Sequence, residues 1–183
     1  MILARIGLAF FCLIASCQAS AQGTAEKKYP LPGRGTLVVM APARWVDEVK
    51  QDDKALPPTI SFSVAAGKPQ QVIMTPIWPP RSDLPPFTRE TVRQYVESAL
   101  KSIREQAVEK DIPVVEFTGK TGAGYYFDAT DKDPGPGEFR YLRQGMLMVG
   151  SLALGFTVLS GDRQEPLVRD AMQMLQGATL APR

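Results

Sequence analysis

Two apolar runs, Glu138–Val149 and Leu152–Leu159, meet at Gly150-Ser151 and constrain the fold more than any other feature of the chain. Met146–Leu159 is shorter than the ~18 residues that a membrane-spanning helix needs, and it is broken by Gly150, Ser151 and Gly155. Each half alternates, as a strand does when neighbours flank it on both sides. The pair therefore predicts a buried hairpin, and a buried hairpin demands further strands beside it and layers above and below.

The rest of the chain supplies them. Thr36–Met40 predicts a strand stopped by Pro42, with Trp45 and the charged stretch Asp47–Lys54 after it. Ile60, Phe62 and Val64 alternate with Thr59, Ser61 and Ser63, the period of a half-buried strand. Gly67–Pro69 then turns the chain into Gln71–Trp78, completing a hairpin. A proline-dense connector, Pro79–Pro86, leads to Thr88, a good N-cap for a helix over about Arg89–Glu109. Val92, Tyr95, Val96, Ala99, Ile103 and Ala107 form its apolar stripe. Its outer face offers Arg93–Glu97, Glu97–Lys101 and Lys101–Glu105 at i, i+4 spacing. Val114–Thr118 and Gly124–Asp128 flank a turn, and Thr130–Gly137 is an acidic loop. A last helix starts at Asp162 with Glu165 as a capping box, and ends at Gly177. Leu167, Val168, Ala171 and Leu175 are its buried side.

The expected fold is α+β: an antiparallel β-sheet covered by two main helices, an α/β/α sandwich in a single domain. Residues 22–34 read as a flexible lead-in, 35–177 as the folded domain and 178–183 as a C-terminal tail.

Met1–Ala21 reads as a signal peptide, with a basic start at Arg5, an apolar run Ile6–Ala15 and the small-x-small site Ala19-Ser20-Ala21. Cleavage there leaves Gln22 first, and the protein periplasmic or secreted. Ile14-Ala15-Ser16-Cys17 offers a second cut, a lipobox in which Cys17 is lipidated and the protein becomes a membrane-anchored lipoprotein. Simple cleavage is the favoured reading. The membrane is a partner only if Cys17 is lipidated. The leader removes one positive charge from a net +2, and a balance so near neutral argues against nucleic acid.

The chain has no histidine, and both cysteines, Cys12 and Cys17, lie in the leader. That excludes Ser-His-Asp and Cys-His catalysis and the usual zinc sites. Ser98-x-x-Lys101 with Lys120-Thr121-Gly122 matches fragments of the penicillin-binding signature, but Ser98 is mid-helix and points away from the apolar stripe. Gly119-Lys120-Thr121 lacks the earlier glycine of a phosphate loop, because Val114 stands there. Asp128, Asp131, Asp133 and Glu138 fail the calcium-loop spacing at Pro136 and Leu142 and read as solvated carboxylates. No catalytic, cofactor-binding or metal site is expected.

Leu37-Val38-Val39-Met40-Ala41-Pro42 followed by Trp45, with this order of elements over Gly35–Gly177, resembles the PsbP-like superfamily and its DcrB-type bacterial envelope proteins. The resemblance implies an antiparallel sheet sandwiched by helices, no catalytic residue set, and bacterial members that are exported or lipid-anchored. The expected function is a non-catalytic envelope protein, a binding or accessory module for another envelope protein, with Trp78 and Phe87 as contact residues. Trp45 is expected to be buried. The alternatives are a hydrolase using carboxylates or a serine without histidine, and a small-ligand carrier with an apolar pocket between helix and sheet.

Overall fold

The computed structural model describes residues 23–53, 56–64, 70–79 and 86–182. Seven strands form the main sheet: β3 (Trp45–Lys50), β4 (Thr59–Val64), β5 (Gln70–Ile77), β6 (Val115–Thr118), β7 (Ala123–Thr130), β8 (Tyr141–Val149) and β9 (Leu152–Ser160). Their spatial order is β3-β4-β5-β9-β8-β7-β6, antiparallel throughout. The predicted hairpin β8–β9 lies inside it, joined through Gly150 at φ +61°. Glycine at the first central position of a two-residue turn, followed by a residue of negative φ, is the II′ pattern that matches strand twist. The coarse expectation of an antiparallel α+β domain holds.

Strand alternation gives the sheet two different faces. Along β9, Leu154, Phe156 and Val158 join one apolar cluster, whereas Ala153 joins a second. The second cluster belongs to α1 (Arg89–Ile103), whose Val92, Val96 and Leu100 lock onto Tyr125, Phe127 and Met146. Burying each of these three helix side chains stabilises the layer by about 1.5–3 kcal/mol. Thr88 caps α1 as expected, in a reciprocal capping box with Thr91.

The opposite face carries α2 (Glu165–Gln176) through Leu167, Ala171, Met174 and Leu175. Here the structure departs from a plain sandwich. α2 shares its layer with a second sheet, β1 (Thr24–Leu31), β2 (Gly35–Pro42) and β10 (Thr179–Ala181), in the order β1-β2-β10. The lead-in expected over 22–34 is thus corrected from Thr24 to Leu31: it is a strand paired residue by residue with β2. Tyr29 and Leu31 alternate into the core and outweigh the charged neighbours. Pro30 is tolerated because β1 is an edge strand, where a missing N–H costs no ladder bond. Pro32-Gly33 closes the turn, with Gly33 at φ +71° and Arg34 N donating to Leu31 O at 3.0 Å. The expected tail likewise pairs with β2 as β10.

Three boundaries move for physical reasons. The charged stretch after Trp45 is the edge strand β3, because an edge leaves its charged side chains solvated. α1 ends at Ile103 and a short 3-10 turn follows to Gln106; Val108 N donates to Thr130 O at 2.8 Å, so the chain joins the sheet instead of continuing the helix. α2 begins at Glu165, three residues later than expected, with no side-chain cap at Gln164. A helix capped at Asp162 would need the N–H of residue 166, and Pro166 has none.

Candidate functional site

α1 packs chiefly over β7 and β8. On the same face β5 and β9 run out beyond the helix, and a cleft of about 280 Å3 opens between them and α1. Ile73, Ile77, Val96, Phe127 and Met146 make its walls, and Thr75, Thr157 and Gln144 place polar groups among them. Gly155 helps to form its floor: a Cβ there would meet nothing nearer than Ile77 Cδ1 at 3.5 Å. Tyr95 stands at the lip. Expected in the buried stripe, it is 56% exposed, because Val92, Val96 and Leu100 carry the packing and Tyr95 falls on the helix flank over the open part of the sheet. Its ring lies 6.3 Å from that of Phe87. Among the described residues, the lining contains no Asp, Glu, Lys, Arg or Ser side chain. Such a lining offers shape and neutral hydrogen-bonding groups, and among the described residues it holds no carboxylate base.

A second cleft, of about 200 Å3, lies near the start of α2 on the other face and is rich in charge. Two of its charged groups, Arg143 and Asp128, pair with each other. Arg143 Nε and Nη2 donate to the two Asp128 oxygens at 2.6 and 2.7 Å, and the guanidinium lies 4.1 Å from the Tyr126 ring centre. Burial works against the charge on Arg143, but the Asp128 bonds outweigh it and hold the guanidinium above its ordinary value. Glu109 accepts from Thr130 N at 2.9 Å and from Thr130 Oγ1 at 2.6 Å. Burial alone raises that carboxyl, yet the two Thr130 bonds prevail and set it below the usual carboxylate range. A carboxylate so held is ionised at neutral pH and is no proton donor there.

Asp47 behaves alike at the other end of the sheet. It accepts from Lys27 Nζ at 2.8 Å and Tyr29 Oη at 2.9 Å. The Lys27 bond, ahead of an opposing burial effect and seconded by Tyr29, depresses its pKa. Burial and the same carboxylate push the Tyr29 phenol up. For depressed carboxyls the stabilisation is present above the unfolded-state pKa, about 4, and is lost as pH falls through the lower folded value. Urea midpoints should therefore hold steady from neutral pH down to about 4 and drop below it. In Glu109→Gln the acid limb should be shallower; a limb parallel to wild type would show that the Thr130 bonds do not persist in solution.

The residues singled out in the sequence scatter. Cys17 and Pro80–Pro85 lie outside the described residues. Trp78 is half-buried against the α2-side cluster, and Phe87 against the α1-side cluster, so the two sit on different sides of the main sheet. Trp45 is buried, and its Nε1 has no hydrogen-bond partner among the described residues. Ser98 and Lys101 are both exposed on α1; of the expected helix pairs, Arg93–Glu97 forms at 2.9 Å. Lys120 N donates to Gln176 O at 2.7 Å, tying its turn to the end of α2. Asp131 accepts from Asp133 N, and Glu138 from Gly135 N, each capping its own loop.

Sequence reasoning missed the cleft residues Gly155, Gln144 and Thr157. A signal was there: along β9, the positions between Leu154, Phe156 and Val158 are small or polar, which marks a sheet face not sealed by a helix.

No protein-family model matches the chain, and no curated protein matches it. Among solved structures, the fold is similar to that of the cyanobacterial PsbP (CyanoP) from Synechocystis sp. PCC 6803. The TM-score is 0.53 at 8% identity, over 92% of this chain and 99% of that one. The likeness is one of fold, and it supports a PsbP-like architecture.

Proposed function

We propose that this chain is an exported, non-catalytic protein of the cell envelope that holds an uncharged ligand in the cleft between α1 and the sheet. The observation that carries the reading is the lining of that cleft, about 280 Å3 with apolar walls, neutral polar groups and no charged side chain among the described residues. Its volume lies just below the ~300–1,000 Å3 usual for small-molecule sites, as fits a cleft that continues onto the open sheet. The leader Met1–Ala21 supplies the export, and a DcrB-type envelope protein is the kind of relative this reading favours.

A second reading, an accessory module for another envelope protein, draws on Tyr95 and Phe87. Their rings, tilted to each other by 59° beside the cleft, are the aromatic surface a partner would contact. In that case the cleft receives a partner side chain in place of a free ligand.

Native mass spectrometry of the protein recovered from its own envelope tests both halves. We expect a chain beginning at Gln22, or at Cys17 with acyl chains, carrying a non-covalent adduct that leaves on denaturation. A chain still beginning at Met1 would remove the export half. A bare chain under gentle conditions would count against a resident ligand.

A further inference from the structure

We infer that the ligand of this cleft is a neutral oligosaccharide. The inference rests on the reading of the cleft as a binding site and narrows it to one chemical class.

Register extends the cleft into a longer surface. Ser61 pairs with Ile73, Ile73 with Thr157, and Thr157 with Gln144. Paired residues share a face, so these four side chains form one row across β4, β5, β9 and β8. Three inter-strand steps of about 4.8 Å make the row roughly 14 Å long, enough for several sugar rings laid end to end. Ser63 pairs with Gln71 in the neighbouring row. None of the Ser61, Ser63, Gln71, Thr157 and Gln144 side chains hydrogen-bonds another described residue, and none of these residues is buried. Glu48 on β3, paired with Ser61, bounds the row and has Lys50 at 3.5 Å; from Ser61 to Gln144 the row presents hydroxyls and a carboxamide that donate and accept without charge.

Ligand classes divide on this surface. An anion or cation would meet no opposite charge among the described lining residues and would lose its hydration uncompensated there. An acyl chain would suit Ile73 and Met146 but would strip water from Gln144 and Thr157 and leave them unsatisfied, at about 1–3 kcal/mol each. A pyranose ring satisfies both halves. Its C–H face packs on an aromatic or aliphatic wall, and its hydroxyl rim bonds amides and hydroxyls. Tyr95, exposed and braced by Phe87 at 6.3 Å, is the aromatic platform.

The test is a titration followed by 1H–15N NMR of the folded protein. Maltohexaose, cellohexaose and chitohexaose are the sugar probes, and dodecanol is the uncharged aliphatic probe. We expect at least one hexaose to shift the Gln144 side-chain amide and the Gly155 and Thr157 backbone signals. Tyr95→Ala and Gln144→Leu should each weaken that binding about tenfold, with dispersed spectra showing that both variants stay folded. Shifts with dodecanol alone overturn the sugar assignment and leave the binding cleft standing. Silence with every probe overturns the cleft reading as well. Sugar binding that survives both substitutions places the sugar elsewhere and overturns the assignment.

Discussion

Tyr29→Ala combined with Leu31→Ala should leave the domain at or near unfolding at 25 °C. Both side chains are buried, at 5% and 4% exposure, and both belong to the α2-side core. The Tyr29 ring meets Phe62 edge-on at 6.3 Å, and its hydroxyl donates to Asp47. Buried leucine-to-alanine changes cost about 2–5 kcal/mol and large aromatic truncations about 3–5. The two are neighbours on one face of one strand, so the costs need not add. Even the lower sum is of the order of the ~5–15 kcal/mol that holds a typical domain together. Urea denaturation followed by circular dichroism at neutral pH reads the effect. Lys28→Ala, exposed on β1 next to Tyr29, is the control and should move stability by no more than about 0.5 kcal/mol. A double variant as stable as this control would mean that residues 22–34 do form the loose lead-in that their composition implies.

That composition misleads for a physical reason. A strand inside a sheet is covered on both edges and one or both faces, so its sequence has little freedom: Thr59–Val64 was legible to its end residues, and β8–β9 to within a few. An edge strand is constrained on one face and one edge. β1 needs only Tyr29 and Leu31 to be apolar, and Glu26, Lys27, Lys28 and Pro30 occupy the rest. β3 needs little more than Trp45, with Asp47 serving as acceptor for β1 residues. Both strands were hidden by charge and proline that an edge permits. The helix ends were missed differently, through single backbone groups: the N–H that Pro166 lacks and the Thr130 carbonyl that takes Val108.

The cleft was less legible than the fold, because it is made by what is missing and by pairing. Gly155 contributes space. Thr157 and Gln144 become one surface only in the observed register, a relation between residues far apart in sequence. Tyr95 fitted the helical period well enough to be counted as core. Periodicity reports which side of a helix is apolar, but not how far the sheet beneath it extends.

Gly155 also gives the sharpest separation of ligand binding from folding. In Gly155→Leu, Cβ should take a position with ordinary contacts only, Ile77 Cδ1 at 3.5 Å and Thr75 O at 3.7 Å. The remaining side chain grows into the cleft. Stability should stay within about 1 kcal/mol of wild type, since a strand residue better than glycine offsets minor crowding. Binding in the cleft should fall by about a hundredfold or more, because the added atoms occupy the ligand volume instead of trimming one contact. Gly145→Ala, on the adjacent strand, should do the reverse. Its Cβ would lie 2.3 Å from Tyr125 O and 2.6 Å from Phe156 Cζ, on the opposite face of the sheet. Backbone oxygen cannot step aside as a flexible side chain can, so overpacking should cost about 1–3 kcal/mol or more. Gly145 lines the cleft with its backbone only from behind, so the surviving folded protein should lose far less affinity than Gly155→Leu does. Paired urea curves and titrations of the two variants therefore distinguish a cleft that serves binding from a gap left over by packing. If Gly155→Leu binds as wild type does, the space above Gly155 has no functional occupant, and the search for one moves to the aromatic lip formed by Tyr95 and Phe87.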